Sequence, residues 1–261
     1  MTKDEDDALY DEFAAHYHLI YEDWDAAITR QGTVLYHLIR AEGFAPPARI
    51  LDCTCGVGTQ ALGLAGLGYK LSGSDVSAPA INRARAEAGW RNLDVTFQVS
   101  DVRGLSDSFP DPFDVVLSAD NALPHLPSED DILKALAEMA GRLRPGGLLV
   151  ISIRDYDNAV FERPVITQPR FFKSSGCTRF VHQVWEWLDD RSYRMHLYLT
   201  EEIDEGWVCR HFVGRYRAVL RLDLTDMLKV VGLVRGRWIM PSDSGFHQPI
   251  LVAHKPERAG Q

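Results

Sequence analysis

Ile50-Leu51-Asp52-Cys53-Thr54-Cys55-Gly56-Val57-Gly58 is the stretch that decides the fold. The apolar pair reads as a short buried strand, a glycine turn ends it, and Ala61 to Leu67 reads as a helix. Glycines let the backbone come close to a ligand, and the helix that follows offers N–H groups without partners. A strand, turn and helix in this order is suited to receiving a cofactor. Gly56, Gly58 and Ala61 also fit a loose nucleotide-binding spacing, which alone says little, because an ordinary strand-to-helix turn reads the same way.

Downstream the same rhythm continues. Lys70 to Gly73 reads as a strand, and Pro79 to Glu87 as a helix with Ser77 as N-cap. Val95-Phe97-Val99 alternates as a strand does, and Phe113 to Leu117 is apolar throughout, as in a strand covered on both faces. Asp130 to Leu143 reads as a helix, Arg144-Pro145-Gly146-Gly147 as a turn, and Leu148 to Ile153 as another buried strand. Strands alternating with helices predict a parallel sheet with helices on both faces. The tail returns to the pattern with a helix near Leu224 to Val231 and strands near Arg235 to Ile239 and Ile250 to His254. Upstream, residues 8–42 read as helical up to Ala45-Pro46-Pro47.

Residues 160–222 break the rhythm. Phe180 to Tyr216 holds eight aromatics in 37 residues, about double the 10% of the whole chain. Three alternating segments are separated by Asp189-Asp190-Arg191-Ser192 and Asp204-Glu205-Gly206, which reads as an antiparallel meander. The expected organisation is an N-terminal helical cap over 1–44 and an α/β core over 45–159 and 223–261. An antiparallel β lid over 160–222 completes it.

The 261 residues carry 28 basic and 37 acidic side chains, a net charge of −9. That balance argues against a nucleic-acid partner bound by phosphate neutralisation. The hydrophobic share of 46% excludes general disorder. Four cysteines, with Cys53 and Cys55 one residue apart, fit neither a zinc knuckle nor a disulfide scaffold. With an acidic start and no apolar run long enough for a bilayer, the expectation is a cytoplasmic protein without metal or membrane contact. Homo-oligomerisation is left open.

Asp75 ends the second strand, where a carboxylate accepts bonds from both ribose hydroxyls of a nucleoside. Asp101 follows the third strand, at the adenine end of such a pocket; a surface turn or helix cap would read the same way. A dinucleotide would also suit Asp75, but Asp52 sits where its pyrophosphate would lie and would repel it. A cationic ligand with an amine, a sulfonium, a ribose and an adenine suits the set better, and S-adenosylmethionine is such a ligand.

Asp52 to Gly58, Asp75, Asp101 and Arg144-Pro145-Gly146-Gly147 together resemble the class I S-adenosylmethionine-dependent methyltransferases. Thr54 stands where many members carry glycine. The resemblance implies a doubly wound Rossmann-like sheet. It also implies cofactor contacts at Asp52, Cys53, Thr54, Gly56, Gly58, Asp75, Val76, Asp101, Val102 and position 119, an alanine (Ala119). Asn121 to Pro127 and Gly147 to Asp157 are similar to the glycine N-methyltransferase and glycine/sarcosine N-methyltransferase group, as is the Tyr10, Tyr17, Tyr21, Arg30 start. In that group the arginine matching Arg154 holds the substrate carboxylate, and the asparagine matching Asn121 lies at the amine. Arg30 is then expected at the cofactor carboxylate, and Tyr21 beside the reaction.

His125 reads either as a base or substrate contact or as a loop-packing residue. Trp185, Tyr198 and Tyr216 read first as sheet core, with Tyr198 and Tyr216 as candidate substrate contacts. Arg154 closes a buried strand at its carboxyl end, where α/β sheets bind ligands; a salt bridge to Asp155 or Asp157 is the plain alternative. The expected activity is methyl transfer to the amine of a small carboxylate-bearing molecule. The alternatives are methylation of an aromatic metabolite, an NAD-dependent oxidoreductase, and a non-catalytic binding module.

Overall fold

The computed structural model describes residues 11–174 and 177–257. Seven strands form one sheet: β1 (Arg49–Asp52), β2 (Lys70–Asp75), β3 (Val95–Val99), β4 (Phe113–Ser118), β5 (Leu143–Ser152), β10 (Val234–Ile239) and β11 (Ile250–His254). Their order is β10-β11-β5-β4-β1-β2-β3. β11 runs antiparallel to both of its neighbours, and the pairings among β1 to β5 are parallel. The sheet therefore reverses its winding between β1 and β4, and the carboxyl ends there open a crevice of the kind that binds ligands. β5 begins at Leu143 and runs through Arg144-Pro145-Gly146-Gly147, so the expected turn is an irregular start of that strand, with Gly146 at φ +73°.

The helices of seven residues or more are α1 (Trp24–Ala41), α2 (Thr59–Gly66), α3 (Ala78–Trp90), α4 (Glu129–Arg142), α5 (Tyr156–Glu162) and α6 (Arg221–Val230). The long N-terminal helix read from the sequence is broken. A short 3-10 turn covers Tyr17–Ile20, and α1 starts only after Asp23, whose side chain accepts the Ala26 N–H at 3.0 Å. Ser77 caps α3 through the Ala80 N–H at 3.3 Å. α4 has Ser128 as its cap, three acidic residues in its first turn and Arg142 in its last, so its charges match the helix dipole.

α1 and α2 cross at a glycine pair. A Cβ on Gly32 would lie 2.6 Å from the Gly63 Cα, and one on Gly63 would lie 2.5 Å from the Ile28 carbonyl oxygen. Trp24 Nε1 donating to Thr59 Oγ1 at 3.0 Å and Gln60 Nε2 donating to Gln31 Oε1 at 2.7 Å fasten the same crossing. The helix that follows the glycine turn is thus locked to α1.

A second, antiparallel sheet contains β6 (Arg170–Ser174), β7 (Cys177–Trp187), β8 (Ser192–Ile203) and β9 (Gly206–Arg217) in that order. The sequence reading had three segments here and missed the edge strand β6. Val181, Trp185, Tyr193, Met195, Leu197, Phe212 and Tyr216 form its inner face and join one apolar core with Leu51, Val116, Leu149 and the inner side of α4. The core on the other side of the large sheet is built by α1, α2 and α3.

Candidate active site

A cavity of about 560 Å³ lies at the carboxyl ends of β1, β2, β4 and β5, under the inner face of the antiparallel sheet. That size suits a small-molecule ligand. At its β1 end, Gly58 caps α2 with φ +95°, a conformation that an L side chain strains to adopt. Asp75 Oδ2 accepts the Gly56 N–H at 2.9 Å, and Oδ1 accepts the Ser77 N–H at 3.0 Å. Burial raises its pKa, and these amide bonds work against that rise. The carboxylate is thus aimed by the loop it must serve. Cys53, Thr54, Gly56, Asp75, Val76, Asp101 and Val102 all reach the cavity wall. Thr54 Oγ1 lies 2.9 Å from Ser118 Oγ, so the hydroxyl is tied to the end of β4. Burial works to raise the Asp101 pKa, but its fork with Arg103 holds it below the usual range.

Asp52 does not form part of the wall. It is buried behind the turn, and among the described residues no side chain bonds either carboxylate oxygen; the backbone N–H of Thr54 works against the rise that burial causes. Burial, with Asp75 adding to it, pushes its pKa up to about 7. Gly58 also lies outside the wall; its part is the backbone turn.

At the other end stands Arg154. Its Nη1 donates to the Tyr193 hydroxyl at 2.9 Å, and its guanidinium lies 5.0 Å from the Trp185 ring centre and 5.2 Å from that of Tyr216. Asp155 and Asp157 do not pair with it; both are taken by Arg221, at 2.6 Å and 3.3 Å. Among the described residues Arg154 has no carboxylate partner. Asp120 reaches the wall beside Ala119, and burial, which would raise its pKa, loses to bonds from His247 and Tyr17 and to the charge of Arg154, which bring it down to about 2. His125 packs 3.9 Å from the Tyr216 ring, and burial, then Arg154, push its pKa down to about 3, so it is neutral.

Residues 50–147 match the model of a methyltransferase domain family. A glycine/sarcosine N-methyltransferase of Halorhodospira halochloris is 28% identical over 135 residues, 52% of this chain and 49% of that protein. A ubiquinone biosynthesis O-methyltransferase of Xanthomonas campestris pv. campestris (strain B100) is 29% identical over 161 residues, 60% of this chain and 64% of that protein. The chain thus spans about half to two thirds of the length of these curated relatives. The solved S-adenosylmethionine-bound structure of an amino pentose methyltransferase from Micromonospora echinaspora superimposes with a TM-score of 0.73 at 20% identity, covering 94% of this chain and 96% of that one. Residues 50–147 thus match a methyltransferase domain, and the fold is the one shared with that solved S-adenosylmethionine-bound methyltransferase.

Besides Asp52 and Gly58, four more sequence-expected residues are placed away from the wall. Asn121 is buried, its Nδ2 donates to the Tyr156 hydroxyl at 3.0 Å and its Oδ1 accepts the Arg154 N–H at 3.0 Å. Its amide is spent on the chain and does not reach the cavity wall. Tyr198 stacks on His182 and His211 at 5.0 and 4.5 Å, on the outer face of β8, because strand residues alternate and Met195 and Leu197 hold the inner face. Arg30 is exposed on α1, away from the wall. Tyr21 stands behind Tyr17, with hydroxyls 3.3 Å apart, and Tyr17 rather than Tyr21 reaches the wall. Tyr10 lies outside the described residues. Tyr216 and His125 do reach it.

The sequence reading missed Asp120, Gln248 and Arg170, which also reach the wall. Asp120 is acidic at the end of an apolar strand, and that signal was available. Gln248 and Arg170 come from distant segments, with no local pattern to mark them. Among the described residues no helix is long and apolar enough to cross a membrane.

Proposed function

We propose that the protein transfers a methyl group from S-adenosylmethionine to the amine of a small carboxylate-bearing molecule of glycine or sarcosine type. The observation that carries this reading is Arg154: a guanidinium in the cavity wall, held against two rings and a tyrosine hydroxyl, with its neighbouring carboxylates diverted to Arg221. A half-buried guanidinium with no carboxylate at ion-pair distance among the described residues favours an anionic ligand. Its planar fork matches a carboxylate. The likeness to glycine/sarcosine N-methyltransferases supports the same reading.

The residues at the β1 end fit the cofactor. Asp75 would take the ribose hydroxyls and the Gly56 turn the amino acid portion, while the Asp52 carboxylate behind that turn would favour a positive charge there without touching it. The cofactor supplies an electrophilic methyl on a sulfonium. The chain's part is to align the acceptor nitrogen about 3 Å from that methyl and to exclude water. Arg154 fixes the acceptor, and residues 160–222 act as the lid above it. A second reading, methylation of an aromatic metabolite, draws on the apolar wall of Phe13, Leu123, Met195 and Leu197 and on the ubiquinone-biosynthesis relatives. It leaves Arg154 unused.

Turnover of glycine, sarcosine and their descarboxy amines by wild type and Arg154→Lys tests the reading. The acids are expected to be preferred, and the lysine variant to lose about tenfold or more in kcat/KM with little change in S-adenosylhomocysteine affinity. Equal turnover of acids and descarboxy amines would hand the lead to the aromatic acceptor.

A further inference from the structure

The acceptor end of the cavity holds a second fixed charge that the carboxylate anchor does not use. Asp120 follows β4 in a left-handed backbone conformation, φ +60°, and Asn121 repeats it at +69°. Oδ2 of Asp120 accepts the Tyr17 hydroxyl at 2.8 Å and the Tyr21 hydroxyl at 3.4 Å. Oδ1 contacts His247 Nε2 at 2.8 Å and accepts from Gln248 Nε2 at 3.4 Å. Its own N–H donates to Ser152 Oγ at 2.8 Å, and that hydroxyl donates to Gln248 Oε1 at 3.0 Å. An ionised carboxylate has about four acceptor sites, and here four groups from two distant segments use them. The group is therefore fixed in place and ionised, and has no site free to act as a proton shuttle. What it brings to the cavity is a carboxylate charge fixed in place, shared with His247 on its Oδ1 side, on the same wall as Arg154 but not at ion-pair distance from it.

We propose that Asp120 is a specificity-determining residue that restricts the methyl acceptor to an amine. The inference rests on the methyl-transfer reading above. In transfer to an amine, the nitrogen lone pair forms the new N–C bond, and the S–C bond breaks with its electron pair left on sulfur. The positive charge passes to nitrogen, and the product ammonium later gives its proton to solvent. A fixed carboxylate nearby stabilises that cationic nitrogen. An acceptor phenolate is an anion before transfer and neutral after it, so the same carboxylate opposes its binding. Arg154 and Asp120 together present opposite charges to the two ends of an amino acid.

The test uses trimethylammonioacetate and its tert-butyl isostere, tert-butylacetate, which share shape and carboxylate and differ by one positive charge. Calorimetry on the full chain with S-adenosylhomocysteine present reads their affinities. Wild type is expected to bind the zwitterion at least about tenfold more tightly than the tert-butyl anion. Asp120→Asn keeps the shape without the charge and should bring the two within about twofold, with tert-butylacetate affinity unchanged. A merely structural role would weaken both probes together and leave the ratio intact. Equal binding in wild type, which needs no variant to fold, overturns the proposal, and so does a preference that survives in Asp120→Asn. If neither acid binds wild type, the Arg154 anchor falls instead. Choline and its tert-butyl isostere then put the same question to Asp120 alone: a choline preference lost in the variant upholds it, and equal affinities overturn it.

Discussion

Replacing Asn121 distinguishes an amide that holds the chain together from one that holds a substrate. Asn121→Ala removes the bond to the Tyr156 hydroxyl and the bond to the Arg154 N–H. Tyr156 keeps the Tyr193 hydroxyl at 3.0 Å, so that loss is the modest one, about 1 kcal/mol. The Arg154 N–H is left without a partner, which costs about 1–3 kcal/mol. Alanine must also adopt φ +69° without asparagine's tolerance for it, for about 1 kcal/mol more. The expected loss is about 3–5 kcal/mol, a large share of a stability of roughly 5–15 kcal/mol. Asn121→Gly loses the same two bonds but meets the backbone without strain, so it should be about 1 kcal/mol more stable than the alanine variant, the reverse of the usual order. Urea unfolding of wild type and both variants, followed by tryptophan fluorescence, measures this. A loss below about 1 kcal/mol in Asn121→Ala, or alanine at least as stable as glycine, refutes the structural assignment.

Three further outcomes are expected. Burial raises the Asp52 pKa to about 7, above an unfolded value near 3.8, so the folded chain keeps a proton that the unfolded chain releases. Its stabilising contribution is present below about pH 4 and lost as pH rises through 7, at most about 4 kcal/mol; ligand-free melting temperature should fall from pH 5 to 8, and Asp52→Asn should flatten that fall. Gly63→Ala drives a Cβ to 2.5 Å from the Ile28 carbonyl oxygen, so the helices must part, at about 1–3 kcal/mol by urea unfolding. Tyr198→Ala should leave kcat/KM within about twofold of wild type while Tyr216→Ala lowers it about tenfold or more, because only Tyr216 reaches the cavity; steady-state kinetics on both decides it.

The parts of this molecule that were legible in the sequence are those whose signals are local. The glycine turn after β1, the acidic ends of β1 and β2 and the alternation of strand and helix are each written within a few residues. The inner face of β8 was legible too: Met195, Leu197 and Leu199 alternate with Arg194, His196 and Tyr198, and the apolar set faces the core. Tyr198 belongs by its strand position to the other, outward set, whatever its aromatic character. The break before α1 had its marker in Asp23, a good N-cap residue placed just before Trp24. Asn121 was a different problem. Its partners, Tyr156 and Arg154, lie 35 and 33 residues away, and only the packing of β4 against β5 shows that its amide is already engaged. β6 is a five-residue edge strand, too short for periodicity to register.

Arg221 never reaches the cavity, yet it sets what the cavity can hold. It begins α6, its Nη1 takes Asp155, and its Nε and backbone N–H take Asp157. Those two carboxylates are chain neighbours of Arg154 and its natural intramolecular competitors. By sequestering them, a helix start on the far side of the loop leaves the cavity's guanidinium uncommitted. If Arg154 holds the acceptor as proposed, its occupancy has a handle outside the cavity: a carboxylate freed from Arg221 would compete for that guanidinium without altering a residue of the wall.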